Sequence, residues 1–135
     1  MLSAQKNIII TFFSNVNHLN TSIQLTLFNQ ILQNFVQNAI KFTPNEKSIA
    51  IRLKKTKEKI IITVTDEGIG IPENVDLFAP FKRIGNQSGV GLGLFLAKNA
   101  ADALRAKITL VNRDDQKSGC IAKLILRSNT SKDII

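Results

Sequence analysis

The amino-acid sequence predicts a two-layer α/β (α+β) sandwich in which helices pack on one face of a β-sheet. Three observations lead to this prediction. The hydrophobic periodicity changes along the chain in the order strand, helix, strand, strand, loop, helix, strand, strand. The length of 135 residues suits a single domain. A content of 44% hydrophobic and 21% charged residues is typical of a globular protein. We therefore expect residues 1–135 to form one domain with one core.

The first strand and the longest helix follow from the spacing of apolar residues. Ile8 to Phe13 is rich in β-branched and aromatic residues and is predicted to be a strand. A helix is predicted to start at Thr21, which forms a capping-box pattern with Gln24, and to stop before Pro44. Its apolar face comprises Ile23, Leu27, Phe28, Ile31, Leu32, Phe35, Val36, Ala39 and Ile40.

The rest of the chain predicts two hairpins separated by a loop and a helix. Alternating apolar residues indicate strands over Ile49 to Lys54 and Ile60 to Thr65, and the short lysine-rich turn between them makes the pair antiparallel. Asp66 to Ser88 is a long irregular stretch, and such stretches in compact domains are usually functional loops. The remaining elements are a helix and two strands, at Leu92 to Leu104, Lys107 to Val111 and Cys120 to Arg127.

Composition excludes several classes of protein. One cysteine, Cys120, rules out an internal disulfide framework, and together with one histidine, His18, it cannot supply a structural zinc site. We interpret Cys120 as a small core residue and His18 as a surface residue. The longest apolar runs are too short to span a bilayer, and no secretion pattern follows Met1. These features predict a cytoplasmic domain without direct membrane contact.

The net charge of +8 is distributed unevenly. Residues 1–60 contain eight Lys and Arg against two Asp and Glu, residues 61–104 three against five, and residues 105–135 seven against three. A nucleic-acid-binding surface usually combines basic residues with stacking aromatics. The densest basic cluster contains no aromatic residue and falls on a predicted turn: Lys54, Lys55, Lys57 and Lys59. We therefore expect a solvated hairpin and no nucleic-acid partner.

Three groups of residues are candidates for chemistry. Asn34, Asn38 and Lys41 lie at i, i+4 and i+7 of the long helix and therefore share one face, which is rich in neutral amides. Amide oxygens can ligate a hard cation, and the lysine can contact phosphate. Asp66 with Gly68 and Gly70 follows a buried strand, where the carboxylate could accept a base's amino hydrogen and the glycines allow close approach of a flat ligand.

The third group is the glycine-rich start of the second predicted helix. Glycines there leave backbone N–H groups accessible at the positive end of the helix dipole, which favours phosphate. The pattern is neither a P-loop nor a Rossmann fingerprint, because Gly-Lys-Ser/Thr and the required glycine spacing are missing. The residues of this segment are Gly89, Val90, Gly91, Leu92, Gly93 and Leu94.

The order and spacing of these groups resemble the N, G1, F and G2 boxes of the ATP-binding catalytic domain of two-component sensor histidine kinases. The N box contains Asn-Ala-Ile-Lys-Phe-Thr-Pro, from Asn38 to Pro44. The G1 box starts at Asp66, the F box contains Phe78, Phe81 and Arg83, and the G2 box is the Gly89 to Gly93 segment. The resemblance extends from about Ile8 to Arg127. It implies the Bergerat ATP-binding fold of the GHKL superfamily, with a mixed sheet and helices on one face.

The resemblance also implies roles for individual residues. Asn38 would ligate Mg²⁺, Asn34 would support it, and Lys41 would contact phosphate; these three form the expected catalytic group. Phe42 would flank the adenine. Asp66 would accept a hydrogen bond from the adenine amino group, in a pocket shaped by Gly68, Gly70 and Ile71. Arg83 would offset phosphate charge, and Phe78 and Phe81 would anchor the lid. The remaining expected nucleotide-binding residues are Gly89, Val90, Gly91, Leu92, Gly93 and Leu94.

Two departures from the family pattern affect the functional interpretation. Only Ile84 to Ser88 separates Arg83 from Gly89, which makes a short lid. The family's phosphoacceptor histidine lies on a separate helical-hairpin domain, and His18 lacks the acidic-neighbour context of that site. The predicted function is therefore to bind ATP–Mg²⁺ and supply the γ-phosphoryl group to a histidine on another domain. The response regulator would be an indirect partner, and the isolated chain is expected to be monomeric.

Other functions of the same fold remain alternatives at this point. They are a stand-alone anti-sigma-factor serine kinase, a conformational ATPase of the gyrase, Hsp90 and MutL group, and a degenerate module that docks partners without turnover. The first two typically place a glutamate four residues before the Mg²⁺ asparagine to activate the attacking oxygen. This chain has Asn34 at that position, which argues against self-sufficient hydrolysis.

Overall fold

A computed structural model describes residues 6–19, 23–72, 76–79 and 92–127. The predicted order of elements is confirmed, and most bounds differ from the predicted ones by one residue or two. The elements are β1 (Ile9–Ser14), α1 (Leu25–Phe42), β2 (Ser48–Lys55), β3 (Lys59–Thr65), α2 (Gly93–Ala103), β4 (Lys107–Asn112) and β5 (Cys120–Arg127). No helix within these ranges is long and apolar enough to cross a membrane.

The five strands form one mixed sheet in the order β1-β2-β3-β5-β4. β1 pairs with β2 in parallel, whereas the β2–β3, β3–β5 and β4–β5 pairs are antiparallel. Both helices pack on the same face of this sheet, so the predicted two-layer sandwich is confirmed. β3 lies at the centre, and the residue after it therefore emerges between two neighbouring strands.

The core lies between the helices and one face of the sheet. Alternate strand residues face the helices and are buried, as the period of two in a half-buried strand requires. α2 contributes three alanines, Ala97, Ala100 and Ala101, whose small side chains allow it to lie close to α1. The other buried apolar residues are Ile31, Phe35, Ala39, Ile49, Ile60, Ile62, Val64, Ile108, Ala122, Leu124 and Leu126.

The start of α1 differs from the prediction. The helix begins at Leu25, with Gln24 as an extended N-cap residue (φ −74°, ψ 106°) whose side chain makes no capping hydrogen bond. Ile23 precedes the helix, and Thr21 lies outside the described residues. The predicted capping-box start is therefore wrong. The amphipathic pattern continues upstream of the helix because Ile23 packs against the core without being helical.

The end of α1 is held by a residue far away in the sequence. The helix ends at Phe42 and Thr43 is extended, as the Pro44 that follows requires. The Lys6 ammonium donates hydrogen bonds to three carbonyl oxygens at this end, those of Ile40 (2.9 Å), Lys41 (3.1 Å) and Thr43 (3.1 Å). A cation at a helix C-terminus satisfies unpaired carbonyls and interacts favourably with the helix dipole.

Replacing Ile31 tests how strongly stability depends on the face of α1 that packs on the sheet. Ile31 is fully buried (0% exposed), and Ile31→Ala should lower the free energy of unfolding by about 2–5 kcal/mol, since it leaves a cavity in the core. Leu25→Ala on the same helix is the matched control, because Leu25 is 64% exposed. Urea denaturation measures both variants. Equal losses in the two would contradict the described packing.

Candidate functional site

A cavity opens between the C-terminal half of α1 and the central strands. Five of the residues singled out in the sequence lie around it, namely Asn38, Phe42, Asp66, Gly70 and Leu94. The sequence patterns therefore identified residues that are distant in the chain but adjacent in space. The other lining residues are Phe35, Ala39, Val64, Leu77, Leu110, Cys120 and Ala122. These are predominantly apolar, so the site is a hydrophobic cleft with few polar groups.

Asp66 is the buried carboxylate of this cleft. It directly follows β3 and is only 7% exposed. Its Oδ1 atom accepts hydrogen bonds from the backbone N–H groups of Gly68 and Cys120, both at 2.9 Å. Burial raises the pKa of Asp66, while these two hydrogen bonds and the charge of Arg113 lower it in part. Both hydrogen bonds go to Oδ1, so the orientation of the carboxylate is fixed from one side.

Two glycines after Asp66 are required by their surroundings. A Cβ on Gly68 would lie 2.8 Å from the carbonyl oxygen of Phe42, so the loop packs directly on the end of α1. Gly70 has φ +84°, a conformation that side chains rarely adopt. The two positions predicted to shape the pocket thus have physical reasons for being glycine.

The hairpin between β4 and β5 holds this loop from the other side. Asn112 pairs with the backbone of Ile71: its Oδ1 accepts the N–H at 2.7 Å, and its Nδ2 donates to the carbonyl oxygen at 3.0 Å. Arg113 donates to the carbonyl oxygen of Asp66 at 2.9 Å, and the Ser118 hydroxyl donates to that of Gly68. These supporting residues were not predicted from the sequence, because no local pattern shows that this turn packs against the Asp66 loop.

The charge of Arg113 is balanced within its own turn. Its guanidinium forms an ion pair with Asp115 at 2.7 Å, which raises the pKa of Arg113 and lowers that of Asp115. Glu67 points away from Asp66 and accepts hydrogen bonds from the N–H (2.7 Å) and hydroxyl (2.9 Å) of Ser48. These bonds lower the pKa of Glu67. The two adjacent acidic residues therefore have different environments, and only Asp66 faces the cavity.

The polar face of α1 divides between two locations. Asn38 lines the cavity. Asn34 donates from Nδ2 to the carbonyl oxygen of Gln30 at 2.7 Å, and its Oδ1 lies so near Gly93 that a Cβ there would be 2.6 Å away. Asn34 therefore lies where α1 meets the first turn of α2. The Lys41 ammonium lies 5.8 Å from the centre of the Phe42 ring.

The long loop and the start of α2 are described in part. Phe78 is half-buried and packs against the core, and its role as a lid anchor stays a prediction. Leu92 is the N-cap residue of α2, Gly93 is its first residue and Leu94 lines the cavity. The predicted site residues Phe81, Arg83, Gly89, Val90 and Gly91 lie outside the described residues.

The single cysteine and the single histidine lie in different environments. Cys120 is half-buried at the edge of the cavity, and burial together with the nearby charge of Asp66 raises the pKa of its thiol to about 12. The thiol is therefore protonated at neutral pH and unreactive. His18 is exposed between β1 and α1, as expected for a surface residue.

Sequence comparison identifies the class of protein to which this fold and site belong. Residues 24–129 match the family described as histidine kinase-, DNA gyrase B-, and HSP90-like ATPase. The match covers most of the chain, which therefore belongs to this ATPase family.

Individual relatives point to one branch of the family. The chain is 34% identical over 88 residues to sensor protein KdpD of Mycobacterium tuberculosis, which covers 62% of this chain and 10% of the relative. It is 30% identical over 122 residues to sensor protein CreC of Escherichia coli (87% and 25%) and 28% identical over 137 residues to CiaH of Streptococcus pneumoniae (96% and 30%). The chain thus spans about a tenth to a third of the length of these relatives.

Solved structures agree with this assignment. The catalytic domain of histidine kinase ThkA superimposes with a TM-score of 0.81 at 29% identity, covering 93% of this chain and 82% of that chain. Full-length ShkA superimposes with a TM-score of 0.79 at 20% identity, covering 95% and 27%. The mixed sheet with two helices on one face is therefore that of histidine kinase catalytic domains, and the resemblance to sensor histidine kinases is confirmed.

Replacing Asn112 tests how the loop after Asp66 is held. Asn112→Ala removes both hydrogen bonds to Ile71 and should lower the free energy of unfolding by about 1 kcal/mol. The Ile71 amide should also exchange with solvent faster, since it loses its acceptor. Amide hydrogen exchange followed by NMR measures this directly. Asn99→Ala on the exposed side of α2 is the control, and unchanged exchange at Ile71 would show that the clamp does not hold the loop.

Proposed function

We propose that this chain is the ATP-binding catalytic domain of a sensor histidine kinase, and that it supplies the γ-phosphoryl group of ATP to a histidine on a separate helical-hairpin domain. The observation that carries this proposal is the buried carboxylate of Asp66 in an apolar cleft beside two glycines. A flat, apolar ring with an exocyclic amino group fits such a cleft, because the ring replaces water against apolar walls while the carboxylate accepts the amino hydrogen.

Adenine recognition depends on the second carboxylate oxygen of Asp66. Oδ1 is engaged by two backbone N–H groups, which orients Oδ2 for the ligand. The ionised carboxylate is the stronger acceptor for the amino hydrogen; burial raises the pKa of Asp66, and the two N–H donors and the charge of Arg113 lower it in part. Leu94, Leu110 and Ala122 would contact the ring faces. The structure of full-length ShkA, which has the same fold, was determined in complex with AMPPNP.

The triphosphate would extend from this cleft along α1 toward the start of α2. Asn38 lies at the cavity, and Asn34 lies against Gly93, so the two amides follow this direction. Lys41 would contact phosphate, as would Arg83 and the Gly89 to Gly93 segment. Backbone N–H groups at the start of α2 offer further donors to phosphate oxygens.

The donor set suits Mg²⁺ bound mainly by the nucleotide. The described residues contain no group of three or more His, Cys, Asp and Glu that could hold a metal ion. Asn38 would offer one neutral amide oxygen, and the remaining ligands would be phosphate oxygens and water, which is how Mg²⁺ commonly binds in phosphoryl-transfer sites. When bound, Mg²⁺ neutralises charge on the β- and γ-phosphates.

The residues of this chain fit transfer to an external acceptor better than hydrolysis. The position one turn before Asn38 is occupied by Asn34, an amide that cannot act as a general base. Phosphoryl transfer depends largely on positioning and charge neutralisation, which Asn38, Lys41 and backbone N–H groups can provide. The histidine-bearing domain would supply the acceptor, and a response regulator would receive the phosphoryl group from it. We place this activity in the cytoplasm and expect the isolated chain to be monomeric.

Replacing Asp66 tests the adenine site. In Asp66→Asn the two backbone N–H groups should hold the remaining side-chain oxygen, so the amide nitrogen, a donor, would face the adenine amino group, and ATP–Mg²⁺ binding should weaken by about 100-fold, equivalent to about 2.7 kcal/mol. Isothermal titration calorimetry measures the affinity, and circular dichroism checks that the variant is folded. Asp102→Asn is the matched control, because Asp102 is exposed on α2 and is paired with Lys98. Equal affinity in Asp66→Asn and the parent would refute the site.

Because ATP binding and the acceptor histidine are proposed to lie on separate domains, we predict that the chain does not phosphorylate itself. Incubated with γ-labelled ATP and Mg²⁺, the purified chain should bind nucleotide without acquiring acid-labile label, since the acceptor histidine belongs to another domain. Adding the histidine-bearing hairpin domain of the parent kinase should place the label on that domain. Label that remains on this chain after gel electrophoresis would contradict the proposal.

A further inference from the structure

The face of the sheet opposite the helices, which we call the open face, carries an unusual distribution of charge. We propose that the open face is a docking surface for an acidic segment of a protein partner. This surface is separate from the nucleotide cleft, so the inference does not depend on ATP binding.

The strands contribute six cations and no carboxylate to the open face. The strand register places the alternate residues on this side, because their neighbours in sequence face the helices. None of the five strands contains Asp or Glu. In the described part of the chain the ion pairs are Lys98–Asp102 and Arg113–Asp115, and neither involves a strand residue. The six cations of the open face are Arg52, Lys54, Lys59, Lys107, Lys123 and Arg127.

The cations are arranged at regular distances. Arg52 and Lys123 both pair with Thr63 from opposite sides, so one strand separates them, and strands lie about 4.8 Å apart. Their backbones are therefore about 10 Å apart. Two turns of an α-helix span about 11 Å, so carboxylates two turns apart on one helix face match this pair. Lys59 and Arg127 lie directly opposite each other, which brings two positive charges together at one end of the face.

Apolar residues lie between the cations. Ile61 and Ile125 are directly paired in the centre of the face, and Ile121 pairs with Val111, which is 50% exposed. A partner that covers this surface must offer apolar contacts as well as negative charge, because burial of apolar area provides most of the driving force. An acidic amphipathic protein segment meets both requirements.

The same surface is poorly suited to nucleic acid. Single strands bind on exposed aromatic rings, and the described strands offer one ring on this side, that of Phe13. The Arg52 guanidinium already lies 5.0 Å from the centre of that ring. Phosphates alone would leave the isoleucines without contacts. Charge and apolar content together favour protein over polynucleotide.

A shallow depression at one end of the open face extends the basic surface. It has a volume of about 250 Å³ and lies between Thr11, Ala50 and Thr65, next to the turn that carries Lys117. Glu67 is the one carboxylate on its lining, and it is engaged by Ser48. The depression is large enough for an acidic side chain of the partner, with Arg52 on its wall.

Charge reversal on the open face tests the proposal. The probe is a fluorescein-labelled helical peptide of about 20 residues, with glutamates one and two turns apart and leucines between them. Fluorescence anisotropy in low salt should show binding to the parent chain. Arg52→Glu/Lys123→Glu should weaken it at least about 10-fold, because two attractive contacts become repulsive. Lys55→Glu/Lys98→Glu makes the same change in net charge on the helix side of the sheet, because Lys55 alternates with Lys54 and Lys98 lies on α2, and it should weaken binding less than about 2-fold.

Three results would overturn the proposal. These are no measurable binding of the peptide, equal loss of affinity in the two double variants, and tighter binding of a single-stranded oligonucleotide than of the peptide at this face. Circular dichroism of Arg52→Glu/Lys123→Glu verifies folding, and ATP titration of the same variant should match the parent. Loss of ATP binding in Asp66→Asn has no bearing on the peptide result, so failure of the docking proposal and failure of the ATP site are distinguishable.

Discussion

The proposed nucleotide cleft depends on the contact between Asp66 and the beginning of β5. The N–H of Asp66 donates to the carbonyl oxygen of Cys120 at 3.0 Å, and the Cys120 N–H donates back to the Asp66 carboxylate at 2.9 Å. This exchange extends the pairing of β3 with β5 one residue beyond the strand. Because β3 is the central strand and Asp66 follows it directly, the sheet positions the Asp66 carboxylate in the cleft.

This arrangement offsets part of the free-energy cost of burying an ionised carboxylate. Desolvation disfavours the charged form, whereas two N–H donors and the guanidinium of Arg113 favour it. These groups belong to the Gly68 loop and the β4–β5 hairpin. The loop and the hairpin are joined by the two hydrogen bonds between Asn112 and Ile71. The β4–β5 hairpin thus supports the Asp66 loop and also lines the cavity with Leu110, Cys120 and Ala122. An apolar cleft with one oriented polar group is what selective binding of a flat base requires.

The two faces of the sheet have different chemical characters, and we connect this with different tasks. The face toward the helices is apolar and ends in the cleft, where α1 adds Asn38 and α2 adds Leu94. The strands contribute only basic, polar and apolar side chains to the opposite face. A catalytic domain that must present its nucleotide to an acceptor on another domain benefits from a second surface for partners. A partner bound to the open face, as proposed, would leave the cleft undisturbed.

Local patterns in the sequence were sufficient to predict the five strands, the two helices and the polar residues that line the cleft. Period-two and helical periodicities reflect which side of each element is buried, and the Asp66, Gly68 and Gly70 pattern reflects constraints within a few residues. Only the tertiary structure revealed the capping of α1 by Lys6 and the clamp of Asn112 on Ile71, because their partners lie 34 to 41 residues away. The structure also shows that α1 starts at Leu25 and not at the predicted Thr21. The prediction started too early because Ile23 contributes to the same apolar surface from outside the helix. Helices and strands depend mainly on residues close together in the sequence and can therefore be predicted from it. Contacts between distant segments form only when the sheet brings those segments together.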